Sequence, residues 1–253
     1  MVRCYGLTKD PLNGNYILVM EMLNVNLKEY LYLQQNQLTW EERIKITFLI
    51  IYALYWIHEE NLIHRDLHSG NILYSQFNNS WRISDLGFCG PADKSSTSIY
   101  GNLPYIAPEV INGKEYTFKS DIYSIAILMW EISSGQQLFI NYEHDDYDLA
   151  IDIINGMRPK IVSEIPLEYK SLMKQCWDSN PLKRPDIITL DNKMNEIKSY
   201  YQNKPNELPD LPQIKTKIDE ETSYISSKLF TSKIHKFEKL PEPRNATEGI
   251  IIV

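Results

Sequence analysis

Two strongly apolar segments, Phe48–Ile57 and Ile125–Trp130, bracket a polar, loop-rich stretch of about 60 residues, Asn61–Ser120. A compact domain rarely carries so long a stretch with so little regular structure unless the loops themselves perform the function. Both apolar segments are too short to span a bilayer. Each therefore reads as a helix buried on most sides. The first lies in a helix opened by Thr39-Trp40-Glu41-Glu42, a capping box, and running to Glu60. The second lies in Asp121–Ser134, which stops at Gly135. Any fold for this chain must pack these two helices around a long working loop.

The remaining elements fit that frame. Val2–Leu7 and Tyr16–Met22 read as a hairpin joined by the turn-forming run Asp10–Asn15. Asn26 can cap a helix over Leu27–Leu33. Short strands are expected at Ile72–Tyr74 and Trp81–Ser84, inside the loop region. Three further helices are expected at Asp146–Ile154, Pro166–Asp178 and Pro185–Tyr200. Beyond Asn203 Pro, Lys, Glu and Ser dominate, so residues 201–253 read as a disordered tail. The class is α+β, mostly helical.

Composition excludes some functions. The net charge of −7 gives no reason to expect a nucleic-acid or anionic-membrane partner. Three widely spaced cysteines, Cys4, Cys89 and Cys176, argue against a disulfide framework or zinc site. With no secretory signal and no membrane span in view, a reducing, cytoplasmic location is expected.

The chemistry sits in the loop. In His64-Arg65-Asp66-Leu67-His68-Ser69-Gly70-Asn71, a carboxylate precedes a side-chain amide by five positions. Phosphoryl transfer needs that pairing: a carboxylate to orient the attacking hydroxyl and accept its proton, and a nearby oxygen to hold a metal on the phosphates. Asp85-Leu86-Gly87 follows the second short strand and offers another metal-binding carboxylate. Ala107-Pro108-Glu109 comes after the hydroxyl-rich run Ser95, Ser96, Thr97, Ser98 and Tyr100, and Arg184 stands far downstream.

These motifs, in this order, resemble the protein kinases, and within them the tyrosine-kinase-like group. The resemblance covers about residues 1–200, with residues 1–23 matching the last two strands and hinge of the small lobe and 24–200 the large lobe. It implies ATP and Mg2+ as ligands and a protein as substrate. Asp66 would be the catalytic base, and Asn71 and Asp85 the magnesium ligands. Met20 would be the gatekeeper, with backbone groups of Glu21 and Met22 pairing with adenine and Leu73 packing beneath it. Asp121 would bond the backbone of the catalytic loop, and Glu109 and Arg184 would form a buried pair. Arg65 would bind a phosphate on the activation loop, with Ser95, Ser96, Thr97, Ser98 and Tyr100 as candidate carriers.

The sequence departs from the family pattern in two places. Before the hinge only Gly6, Gly14 and Lys9 occur, so no glycine-rich loop or strand lysine is encoded. A shortened gene product is the expected reason, and a scaffold that binds without turnover is the alternative. Either way the hairpin should expose an apolar face. His68 and Asn102 also replace the usual lysine and threonine of serine/threonine kinases, although Leu103-Pro104-Tyr105-Ile106 is closer to that type than to the tyrosine type. A serine/threonine substrate is expected, with tyrosine open. Phosphate within residues 95–100 should accompany activity. Mass spectrometry of active protein finding none there would refute that expectation.

Overall fold

The computed structural model describes residues 2–34, 37–91, 99–139, 142, 145–162, 164–207, 209, 231–237, 240–245 and 251–252. A hairpin comes first, β1 (Cys4–Lys9) and β2 (Tyr16–Met20), followed by a short strand β3 (Val25–Asn26). Helix α1 (Leu27–Leu33) is capped by Asn26, whose side chain accepts from the Glu29 N–H. Helix α2 (Trp40–Glu59) opens with the expected capping box: Glu42 Oε2 accepts from the Thr39 N–H at 2.8 Å, and Thr39 Oγ1 accepts from the Glu42 N–H. Next come β4 (Leu62–Ile63), β5 (Ile72–Ser75), β6 (Ser80–Ile83), β7 (Gly90–Pro91) and β8 (Ile99–Gly101). Four helices follow β8: α3 (Pro108–Ile111), α4 (Phe118–Ser134), α5 (Asp146–Ile154) and α6 (Leu167–Cys176). Strand β9 (Arg158–Pro159) lies between the last two. Helix α7 (Ile187–Asn203) and two short strands, β10 (Lys233–His235) and β11 (Ile251–Ile252), complete the described elements.

Helix α4 is the centre of the core. Every residue from Ser120 to Ser134 is buried. A helix enclosed on all sides tolerates few polar groups unless each is bonded. It ends at Gly135, whose φ of 66° is a left-handed cap that favours glycine. Helix α2 packs against α4 and α7, burying Ile44, Ile50, Ile51, Leu54 and Ile57. Among the described residues no helix is long and apolar enough to cross a membrane.

The sheets are small. β5 and β6 form an antiparallel hairpin in which Ile72 faces Ile83 and Leu73 faces Arg82. β3 joins its β5 edge. β4 pairs with β7, and β8 with β10, both antiparallel, while β11 lies parallel to β9. The β1–β2 hairpin has the expected apolar residues in solvent, with Leu7 69% and Tyr16 76% exposed.

The element boundaries differ from the sequence expectation by up to three residues. The larger difference is at the end of the chain. Within residues 201–253, read from composition as a disordered tail, residues 201–203 close α7 and Lys233–His235 form β10. Arg244 also donates its backbone N–H to the Ile154 carbonyl at 2.9 Å. Local composition gives no sign of these pieces, because their partners are on the helical body rather than nearby in sequence. Much of the span lies outside the described residues.

Glu109 and Arg184 meet as expected. Arg184 donates from both terminal nitrogens to the two Glu109 oxygens, each at 2.7 Å, and both side chains are almost fully buried. The same guanidinium donates to the carbonyls of Asp178 and Lys119 and faces the Tyr123 ring. A second buried carboxylate, Glu131, accepts from the Tyr105 hydroxyl at 2.6 Å and from Ser69 Oγ at 3.3 Å. Burial raises its pKa to about 7, although both hydroxyl bonds oppose the shift.

Two predictions follow from these buried groups. Arg184→Met leaves Glu109 buried without its partner and should cost roughly 3–5 kcal/mol in denaturant unfolding, part of which Glu109→Gln in the same chain should recover. Glu131 binds its proton more tightly folded than unfolded, so its contribution to stability is complete below about pH 4.5 and is lost as pH rises through about 7. Wild-type stability relative to Glu131→Gln should therefore fall by roughly 2–3 kcal/mol between pH 5 and pH 8, and a flat difference would refute this.

Candidate active site

The loop between β4 and β5 cannot satisfy its own backbone, and a buried carboxylate on α4 does so instead. Asp121, 1% exposed, accepts from the His64 N–H at 2.8 Å and the Arg65 N–H at 3.0 Å. His58 Nε2, at the end of α2, lies 2.9 Å from the same side chain. Arg65 has a φ of 71°, a left-handed conformation that a non-glycine residue adopts only under constraint. The two bonds to Asp121 supply that constraint. His64 is fully buried; its Nε2 lies 3.0 Å from the Ser84 carbonyl and its Nδ1 accepts from the Asp66 N–H. The loop is thus tied both to α4 and to the end of β6.

The sequence-predicted site residues assemble around this loop. Asn71 Nδ2 donates to the Asp66 carbonyl at 3.0 Å and approaches Asp66 Oδ2 at 3.4 Å. The amide nitrogen is committed to Asp66, so the Asn71 Oδ1 is the atom available for a ligand. Asn71 immediately precedes β5 and Asp85 follows β6 by one residue. Ser84 donates to the Asn71 carbonyl from its N–H at 2.8 Å and its hydroxyl at 2.9 Å. The β5–β6 hairpin therefore carries Asn71 and Asp85 at one end, beside Asp66. Asp85 is solvent-exposed and left-handed (φ 55°), and its Oδ1 accepts from the Gly87 N–H. Leu86, beside it, is 41% exposed.

The predicted nucleotide-side residue of the hairpin, Leu73, lies in the ladder pair next to the one that adjoins Asn71. Leu73 and Arg82 are a directly opposed pair, so their side chains share a face. Arg82 reaches from there to Glu21, with its Nη1 2.6 Å from Oε2. The Glu21 N–H is used by the Arg3 carbonyl at 2.8 Å. Met20 ends β2, and Met22 is 92% exposed. Sequence reasoning missed the Glu21–Arg82 pair, because nothing local couples Glu21 to a strand residue 61 positions away.

On the substrate side, Arg65 points at β7 and donates to the Pro91 carbonyl at 3.2 Å. Of its candidate phosphate carriers, Ser95, Ser96, Thr97 and Ser98 lie outside the described residues. Tyr100 lies in β8 and stacks on Phe88, with ring centroids 3.4 Å apart. Gly101, at φ 136°, lets β8 pass beside the carboxylate: a Cβ there would sit 3.3 Å from Asp66 Oδ1. Burial lowers the His68 imidazole below its ordinary range, outweighing the Asp66 carboxylate, which acts to raise it. His68 Nδ1 accepts from the Gly70 N–H, so the neutral ring carries its proton on Nε2. Sequence reasoning missed Ser232, whose Oγ lies 2.7 Å from Asp66 Oδ1 and 3.2 Å from His68 Nε2.

Comparison with known proteins agrees with this geometry. Residues 1–194 match the family model for protein tyrosine and serine/threonine kinases. The "Dual specificity protein kinase shkE" of Dictyostelium discoideum is 30% identical over 207 residues, which are 78% of this chain and 28% of that protein. The human "Dual serine/threonine and tyrosine protein kinase" is 36% identical over 173 residues, which are 67% of this chain and 18% of that protein. This chain therefore spans well under a third of the length of either relative. A match over three quarters of the chain places it in the protein tyrosine and serine/threonine kinase family.

Proposed function

We propose that this chain carries the catalytic lobe of an ATP-dependent protein kinase that phosphorylates serine or threonine, and tyrosine as a second acceptor, in a protein substrate. In this reading residues 24–200 are the large lobe, with residues 1–23 the hairpin and hinge above it. The observation that carries it is the convergence of Asp66, Asn71 and Asp85 at one end of the β5–β6 hairpin.

The residues suit the ligands the family uses. Mg2+ favours oxygen donors, one or two from carboxylates and the rest from phosphate and water. The Asn71 Oδ1 and the exposed Asp85 carboxylate form such a donor pair. When bound, the magnesium nucleotide supplies the phosphoryl group and neutralises its developing charge. Asp66 orients the attacking hydroxyl and takes its proton. Asn71 Nδ2 holds that carboxylate in place, and Asp121 holds the loop that carries it. Leu73 and the backbone of Glu21 and Met22 form the adenine side. Arg65 links the loop to the activation segment. The dual-specificity names of the relatives support an acceptor site open to more than one hydroxyl.

Asp66→Asn should reduce Mg2+-ATP-dependent phosphorylation of a protein substrate by about 10²–10⁴-fold while leaving nucleotide binding in place. Asp85→Asn should weaken magnesium-nucleotide binding itself, as read by calorimetry. Equally weak binding by wild type and Asp85→Asn would reject the kinase reading for this chain and leave a partner-binding module.

A further inference from the structure

The catalytic carboxylate is covered by the chain's own C-terminal region. Asp66 is 3% exposed, and the group resting on it is the Ser232 hydroxyl. The following residues add a strand to the sheet edge: Lys233 pairs with Gly101, Ile234 with Tyr100 and His235 with Ile99. This is how extended peptides are bound along an exposed strand, with backbone bonds for affinity and side chains for register. Three further contacts hold the register. Lys233 Nζ lies 2.6 Å from Asp146 Oδ2 and His235 Nδ1 lies 3.5 Å from the same oxygen. The His235 Nε2 lies 3.0 Å from the Gly101 carbonyl, and its ring is 6% exposed and stacked on Phe237.

We propose that residues 231–237 dock as an intramolecular substrate and that Ser232 is the phosphoacceptor. The inference rests on the kinase reading above. Both faces of the hydroxyl are set for it. Asp66 accepts its proton, while His68, protonated on Nε2, donates to its oxygen. In the transfer step the Ser232 Oγ bonds to the γ-phosphorus of a nucleoside triphosphate as the bond from that phosphorus to the β,γ-bridging oxygen breaks. The nucleoside diphosphate leaves with the electron pair, and the hydroxyl proton passes to Asp66 Oδ1. Until then the segment occupies the place of a protein substrate. Once Asp66 has passed that proton to solvent, the dianionic phosphate is repelled by the restored carboxylate, and the segment leaves.

The test has two readouts on the whole protein. In the first, wild-type protein and casein are incubated with Mg2+-ATP at several protein concentrations, and phosphopeptides are mapped. Phosphate on Ser232 at a rate independent of protein concentration is expected. Casein phosphorylated with Ser232 unmodified would overturn the acceptor assignment while the kinase reading stands. Phosphate on neither would reject both. The second readout is hydrogen–deuterium exchange without nucleotide. Backbone amides of Ile99, Gly101, Lys233 and His235 should be protected in wild type and exposed in Ser232→Asp and Lys233→Glu, while the Tyr100 amide, which donates to the Tyr116 hydroxyl, should stay protected in all three. Unprotected amides in wild type would overturn the docking whatever the activity. Ser232→Asp, which sets a second carboxylate against Asp66 and empties the site, should also raise casein phosphorylation severalfold.

Discussion

The structure depends on one buried carboxylate. Asp121 sits in the first turn of α4, in the most enclosed part of the molecule, where an unpaired charge would be very costly. Two backbone N–H groups and one imidazole meet it. Those N–H groups belong to a loop that has no ladder of its own to join. Each side therefore meets a need of the other: the loop gains an acceptor, and the carboxylate gains donors that water cannot supply. This reciprocal burial is what fixes Arg65 in a left-handed conformation and brings the next residue, Asp66, to a set position.

From that fixed point the rest of the site is built by short, rigid links. His64 carries the constraint to the end of β6 through the Ser84 carbonyl, and Ser84 carries it back to Asn71. The β5–β6 hairpin then holds Asn71 and Asp85 in register, and the Leu73–Arg82 pair on its face reaches Glu21 near the hinge. On the other side Gly101 removes the one side chain that would keep β8 away from Asp66. The Glu109–Arg184 pair fixes α3 against the segment that precedes α7. Each of these links is a direct contact between two residues, so a site made mostly of loop is held by the elements around it.

What the sequence disclosed and what it hid divide along a physical line. The capping box at Thr39, the stop at Gly135 and the two apolar helices were legible because their causes are local. The gathering of Asp66, Asn71 and Asp85 was legible because the spacing that chemistry requires is itself short. The Glu109–Arg184 pair was legible only through the resemblance. The strands β7, β8 and β10 were not legible at all. Two or three residues carry no period, and such strands exist only because a distant segment pairs with them. Composition misled for the same reason at 231–237. A polar average describes a segment without a core of its own, whereas His235 and Phe237 use a surface built by β8 and α5.

The register of β10 explains why a single hydroxyl reaches the carboxylate. Side chains alternate across an extended strand. Lys233 and His235, two apart, both reach Asp146 on α5, so that side of the strand is committed to the helix. The residue before Lys233 must then face the other way, and its hydroxyl meets Asp66. The three ladder pairs and the ion pair at Asp146 are individually weak, since the Lys233 side chain is about half exposed and screened by solvent. A segment held by such contacts owes its occupancy to being part of the same chain, where its effective concentration is far above that of a free protein. An arrangement of that kind is accurate in register yet reversible, and the proposed transfer asks both properties of a group that meets the Asp66 carboxylate and afterwards leaves it.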